Sequence, residues 1–181
     1  MPAQEKRALR ELVRERLRQL SEEDRHRAGQ AIFHRLAALP SFAEARVIMA
    51  FASTPAEPDT RPIIDLALRQ GKTVLLPRCG PAPRMEALPY RGEDRMATGP
   101  WGIREPLPES CPVPVPEPDL ILVPCVAVTP EGLRLGHGAG YYDWFLRGRP
   151  GEKICLCFQA QLLDCIPADP HDIPMDRVLW A

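Results

Sequence analysis

The sequence predicts an α/β fold: a largely parallel central sheet with helices on both faces, a three-layer sandwich. Two observations carry this. Short apolar runs of strand length, at 46–51, 73–76, 120–123 and 154–158, alternate with segments of helical periodicity. The runs are apolar nearly throughout rather than every second residue, as strands covered on both faces must be.

The elements follow in order. A first helix is expected over 4–20, where Leu9, Leu12, Val13, Leu17 and Leu20 recur at steps of three and four. Ser21-Glu22-Glu23-Asp24 resembles a capping box and opens a second helix. Ala28, Ile32 and Leu36 are its apolar stripe, and Pro40 is expected to stop it. The first strand, 46–51, leads to a helix over 62–70 that Gly71 ends, and then to the second strand, 73–76. Between Pro106 and Pro118 there are six prolines in thirteen residues. Such a stretch is neither helix nor central strand and is read as an extended surface loop. The third strand is 120–123, a helix is expected over 141–147, and the fourth strand is 154–158. Neither half has enough strands for its own core, so residues 1–181 are expected to form a single domain.

Composition narrows the function classes. A chain of 181 residues is long enough to bury about 70% of the surface its unfolded form exposes. The net charge of −1 weighs against a general nucleic-acid or membrane-surface binder. The charged start, 1–10, lacks an apolar signal core, and no apolar run approaches membrane-spanning length; the expected location is the cytoplasm. Six cysteines (Cys79, Cys111, Cys125, Cys155, Cys157 and Cys165) form no Cys-x-x-Cys pair, which argues against a zinc ribbon and for buried free thiols.

The densest chemical signal is Arg134-Leu135-Gly136-His137-Gly138-Ala139-Gly140-Tyr141-Tyr142-Asp143, between a buried strand and a helix. Glycines at alternate positions let backbone N–H groups approach an anion closely, and a helix start adds partial positive charge. Phosphate is the natural guest, with Arg134 able to add a charge-assisted contact and Asp143 able to hold a metal ion. The spacing is neither that of a Walker A loop nor that of a dinucleotide fingerprint. In the first helix Lys6, Arg10 and Arg14 stand four apart and form one basic stripe. It is either a solvated face or, if the fold brings it to the glycine loop, a second set of phosphate ligands.

These residues resemble the 5-formyltetrahydrofolate cyclo-ligase family, also called 5,10-methenyltetrahydrofolate synthetase. The glycine segment looks like its signature. Lys6-x-x-x-Arg10 is similar to its opening helix, and Glu57-Pro58-Asp59-Thr60 to the Glu-x-x-Thr after its first strand. Trp101-Gly102-Ile103-Arg104-Glu105-Pro106, the strand Asp119 to Pro124, Gln161, Pro167 and His171-Asp172 continue the match in order over roughly residues 6–178.

The resemblance implies an enzyme that uses ATP and Mg²⁺ to close 5-formyltetrahydrofolate to its 5,10-methenyl form through phosphorylation of the formyl oxygen. Its partners would be reduced folate and ATP, with no nucleic acid or membrane, and the enzyme is expected to be a monomer. Lys6, Arg10, Arg134 and Asp143 would be the catalytic residues. ATP would lie against Lys6, Arg10, Arg14 and the loop from Arg134 to Tyr142 (Arg134, Leu135, Gly136, His137, Gly138, Ala139, Gly140, Tyr141 and Tyr142). Folate would touch Ala52, Glu57 and Trp101 and the loop residues His137, Gly138, Ala139, Gly140 and Tyr141. Trp101 could equally serve the core. Asp143 and Asp172 would carry Mg²⁺. His137, Ala139 and the pair Val128-Thr129 depart from the family pattern, and His137 is expected to add pH dependence near neutrality.

Overall fold

The structure, a computed structural model, describes residues 2–108 and 114–181. Cys111 and the centre of the proline-rich stretch lie outside the described residues. Two helices open the chain: α1 (Pro2–Arg18) and α2 (Glu22–Ala37). The Ser21 side chain accepts the Asp24 N–H at 3.1 Å and so satisfies one of the free donors at the start of α2. Pro40 does not merely end α2. It is the first residue of α3 (Pro40–Glu44), where a proline costs no hydrogen bond. Then come β1 (Val47–Met49), α4 (Arg61–Arg69), β2 (Thr73–Cys79) and β3 (Met85–Pro89).

A hairpin of β4 (Met96–Thr98) and β5 (Arg104–Pro106) precedes β6 (Leu120–Val123). A second small hairpin, β7 (Ala127–Val128) and β8 (Arg134–Leu135), carries the glycine loop into α5 (Tyr141–Leu146). The chain ends with β9 (Glu152–Cys157) and β10 (Arg177–Trp180). Six strands form the central sheet in the order β10-β9-β6-β1-β2-β3. All neighbours are parallel except β3, which turns back antiparallel on β2.

The sheet is apolar on both sides because each side is covered. Ile48, Val74, Leu76, Leu120, Leu122 and Ile154 meet Ile32 and Leu36 of α2, Phe42 of α3 and Ile63, Ile64 and Ala67 of α4. On the opposite side Met49, Leu75, Ile121, Val123 and Cys155 meet Phe145 and Leu146 of α5, with Met85 and Met175. Leu120 to Val123 are wholly buried, each contributing about 1.5–3 kcal/mol to the fold.

Helix α1 packs differently. Val13 and Leu17 sit on Val126, Leu135 and Phe158, just past the carboxyl ends of β6 and β9. Leu12, read as part of its apolar stripe, is 45% exposed; it lies about 100° round the helix from Val13. Cys125, Cys155 and Cys157 are buried and free, whereas Cys165 is exposed. No helix among the described residues is long and apolar enough to cross a membrane.

Candidate active site

In this strand order the chain leaves β1 toward β2 on one side and comes back to β6 on the other. The gap outside the carboxyl ends of β1 and β6 is the topological switch point where open α/β sheets bind ligands. Ala52 and Glu57 follow β1 there, and the turn into the glycine loop follows β6. Gln161 fixes this edge. Its amide donates to the Cys125 carbonyl at 2.7 Å, and its carbonyl accepts from Phe158 N–H at 2.8 Å, which ties the ends of β6 and β9 together. Val128 and Thr129 are both buried, and the Thr129 hydroxyl accepts the Leu133 N–H at 3.2 Å. That pair therefore shapes the hairpin beneath the loop.

The loop itself is open. Leu135 is buried, while His137, Gly138 and Ala139 are exposed. Among the described residues the backbone N–H groups of His137, Gly138 and Ala139 make no hydrogen bond. Gly138 (φ +107°) and Gly140 (φ +74°) hold left-handed conformations that favour glycine. Helix α5 has only six residues, so its dipole adds less than the sequence suggested. The positive charge comes from α1 instead. Arg10 Nε donates to the Gly136 carbonyl at 2.8 Å, and its guanidinium lies against Gly138. Arg14 is exposed one turn further on, and neither arginine pairs with a carboxylate among the described residues.

Arg134 lies beneath the loop, its side chain only 4% exposed. It donates to Asp143 at 3.1 Å and to the Pro124 carbonyl at 3.4 Å, and stacks 5.6 Å from the Tyr142 ring centre. Its Nε and the Tyr142 hydroxyl are buried with no hydrogen-bond partner among the described residues. Asp143 Oδ1 also faces the N–H of Ile173, at 3.5 Å, which brings it beside Asp172. Lys6 reaches the same corner. Its Nζ lies 2.6 Å from Asp169 and 2.8 Å from Asp172. The basic stripe of α1 is thus divided: Lys6 is paired with acids, Arg10 holds the loop, and Arg14 faces solvent.

On the other flank, the Glu57 carboxylate accepts from the Thr54 N–H at 2.8 Å and its hydroxyl at 3.0 Å. Burial raises its pKa above the usual carboxylate value, against those two hydrogen bonds. Burial, and then the nearby Glu57 charge, push the Tyr142 phenol up. Tyr141 donates to the Gly80 carbonyl at 3.2 Å, which joins the loop to the β2–β3 turn. Packing about the His137 ring, then the charges of Arg14, Arg10 and Arg134, lower its pKa from the ordinary histidine value.

A family model of the 5-formyltetrahydrofolate cyclo-ligase family matches residues 2–181. The chain belongs to that family. A Caenorhabditis elegans protein named as a probable 5-formyltetrahydrofolate cyclo-ligase is 32% identical over 95% of this chain and 90% of its own. The Escherichia coli K12 5-formyltetrahydrofolate cyclo-ligase is 30% identical over 93% of this chain and 96% of its own. The solved structure of Aquifex aeolicus 5,10-methenyltetrahydrofolate synthetase superposes with a TM-score of 0.80 at 29% identity, over 97% of this chain and 89% of that one. As a member of this family the chain is an enzyme of the ligase class, on the α/β fold that the sequence predicted.

Two family segments hold surprises. Trp101 is 71% exposed in the turn between β4 and β5, so the core reading is wrong. Among the described residues no hydrogen bond or ring contact ties it to the glycine loop. The buried residues of that segment are Glu105 and Pro106, and the Glu105 carboxylate accepts the Cys79 N–H at 3.1 Å and pins the hairpin to β2. A Cβ at Gly99 would collide with that carboxylate. The Cys79 thiol is pushed up to about 11 by burial and by Glu105, so it stays protonated at neutral pH. The other surprise is Asp169. It sits between two prolines in the last loop, where no local pattern marks it out.

Proposed function

We propose that this chain, as one domain, converts 5-formyltetrahydrofolate to 5,10-methenyltetrahydrofolate with ATP and Mg²⁺, releasing ADP and phosphate. The observation that carries this reading is the convergence of Arg10, Arg14 and the glycine loop with Asp143 and Asp172 at the switch point. Arginines with no acidic partner among the described residues, beside N–H groups that make no hydrogen bond there, suit a polyphosphate.

The chemistry asks for positioning and charge neutralisation, not a protein nucleophile. The γ-phosphoryl group passes to the formyl oxygen and turns it into a phosphate leaving group. N10 then forms a bond to the formyl carbon, the carbon–oxygen bond breaks, phosphate departs, and N10 loses its proton. Arg10, Lys6 and the loop N–H groups hold the phosphates through this sequence. Arg134 acts through Asp143, which it orients from below. Glu57 accepts hydrogen bonds from the amino and N–H edge of the pterin, and Ala52 offers backbone beside it.

The acidic corner fits a divalent cation that prefers oxygen. Donor atoms of Asp169, His171 and Asp172 lie within 4.8 Å of one another, and Asp143 adjoins them through Ile173. Bound there, Mg²⁺ would neutralise phosphate charge. Asp143 and Asp172 would hold it.

The test is an absorbance assay with 5-formyltetrahydrofolate, ATP and Mg²⁺, following the near-ultraviolet band of the methenyl product. A rise that requires both ATP and Mg²⁺ supports the reading. No rise from folded protein beside an active control enzyme would leave a folate or nucleotide binder.

The loop gives a sharper expectation. Gly138→Ala forces a side chain into a left-handed position, a strain of about 1–3 kcal/mol, and sets its Cβ 3.5 Å from the Arg10 guanidinium. ATP affinity by calorimetry should fall about tenfold. Gly148→Ala (φ +74°, with nothing within 4 Å) carries comparable strain away from the loop and should leave affinity unchanged. Equal ATP affinity in Gly138→Ala and the parent would remove the loop from the nucleotide site.

A further inference from the structure

Lys6, Asp169 and Asp172 join the first helix to the last loop. Lys6 Nζ lies 2.6 Å from Asp169 Oδ2 and 2.8 Å from Asp172 Oδ2, with side-chain exposures of 12%, 33% and 18% respectively. The N–H of Asp169 also donates to Asp172 Oδ2 at 2.8 Å. One ammonium therefore faces two carboxylates, and the trio carries a net negative charge.

That excess matters if Asp172 serves a metal. Lys6 would then be its competitor, because an ammonium at 2.8 Å engages the oxygen that the cation needs. A lysine with Asp172 as its sole partner would neutralise it. With Asp169 present, Lys6 keeps a partner when Asp172 turns to the cation. The two acids are not equivalent. Asp172 precedes Ile173, whose N–H faces Asp143, whereas Asp169 has no such link to Asp143 among the described residues and makes the shorter pair with Lys6.

We propose that Asp169 is a positioning residue: it is the standing counter-ion of Lys6, which holds the ammonium at the phosphate end of α1 and leaves Asp172 free for the metal. This inference rests on the Mg²⁺-dependent reading above. In Asp169→Asn, Lys6 falls back on Asp172 alone and competes with the cation.

The test is a double-mutant cycle of Lys6→Met and Asp169→Asn with two readouts. One is the Mg²⁺ concentration giving half-maximal rate. The other is Mn²⁺ binding to the enzyme with ADP, read from the paramagnetic resonance signal of the free ion. Asp169→Asn should raise the Mg²⁺ requirement about fivefold and weaken Mn²⁺ by a similar factor, with the rate recovering as Mg²⁺ is raised. Asp169→Glu should restore the parent's values. In the Lys6→Met background, Asp169→Asn should no longer change Mn²⁺ affinity.

A loss of Mn²⁺ affinity that persists without Lys6 would make Asp169 a metal ligand and overturn the proposal. So would unchanged metal dependence in Asp169→Asn while the parent needs Mg²⁺. A parent whose turnover ignores Mg²⁺ would instead sink the reading on which the inference rests. Should Asp169→Asn not fold, Asp169→Ser in both backgrounds makes the same comparison.

Discussion

Asp143→Asn is expected to lower kcat by about a hundredfold or more while leaving the KM for 5-formyltetrahydrofolate within about threefold. Asparagine keeps the oxygen that Arg134 and the Ile173 N–H share but loses the charge. On the proposed mechanism that charge holds Mg²⁺ and serves phosphoryl transfer, not folate binding. The same substitution strips Arg134 of its anionic partner. With the guanidinium side chain 4% exposed, an uncompensated buried charge costs about 3 kcal/mol. Thermal melts without ligand should therefore show a less stable protein that remains folded at assay temperature. Turnover and stability separate if Arg134→Met is joined to Asp143→Asn. The double variant should regain stability through removal of the buried charge, yet stay inactive. Turnover equal to the parent's in Asp143→Asn would remove Asp143 from the reaction.

The fold was legible where single segments carry their own signal. The runs at 120–123 and 154–158 are apolar throughout because β6 and β9 are covered on both sides, and a strand of that kind reads directly from the sequence. Strand β3 was missed: it is the antiparallel edge, and Met85-Glu86-Ala87-Leu88-Pro89 has neither a long apolar run nor a clean alternation. Strand β10 ends the other edge and half-exposes Leu179 and Trp180. Helix α3 was hidden by the double meaning of proline, which stops one helix and starts the next equally well.

At the site, the glycine loop and the basic stripe were visible because spacing within a short segment encodes them. Their division of labour was not. That Lys6 meets acids more than 160 residues away, while Arg10 meets Gly136, depends on how α1 crosses the ends of β6 and β9. Asp169 and the buried Glu105 contact with Cys79 are tertiary facts of the same kind. The packing around the His137 ring, and then Arg14, Arg10 and Arg134, lower its pKa, and spacing reveals none of these neighbours.

Glu57→Gln is expected to act in two opposite directions. The variant should bind 5-formyltetrahydrofolate about 10–100-fold more weakly, the cost of losing a charged acceptor for buried donors. In KM this exceeds any change in kcat, because the pterin edge is remote from phosphoryl transfer. The ligand-free variant, however, should be the more stable protein at neutral pH. Burial raises the Glu57 pKa in the fold, so the folded state holds its proton to a higher pH than the unfolded chain does. Stability then falls as pH rises from the unfolded carboxylate value through the folded one, and the ionised group is a standing cost above that window. Glutamine keeps an oxygen for the Thr54 N–H and hydroxyl and carries no such cost. Melting temperatures of the two proteins, measured from acid to neutral pH, should coincide at the acid end and diverge as pH rises, with Glu57→Gln above. A gap that does not change with pH would show that burial does not oppose ionisation of Glu57. An unchanged folate KM would show that the carboxylate does not meet the pterin. If both expectations hold, Glu57 is a charge kept half-buried at the expense of stability because the substrate requires it.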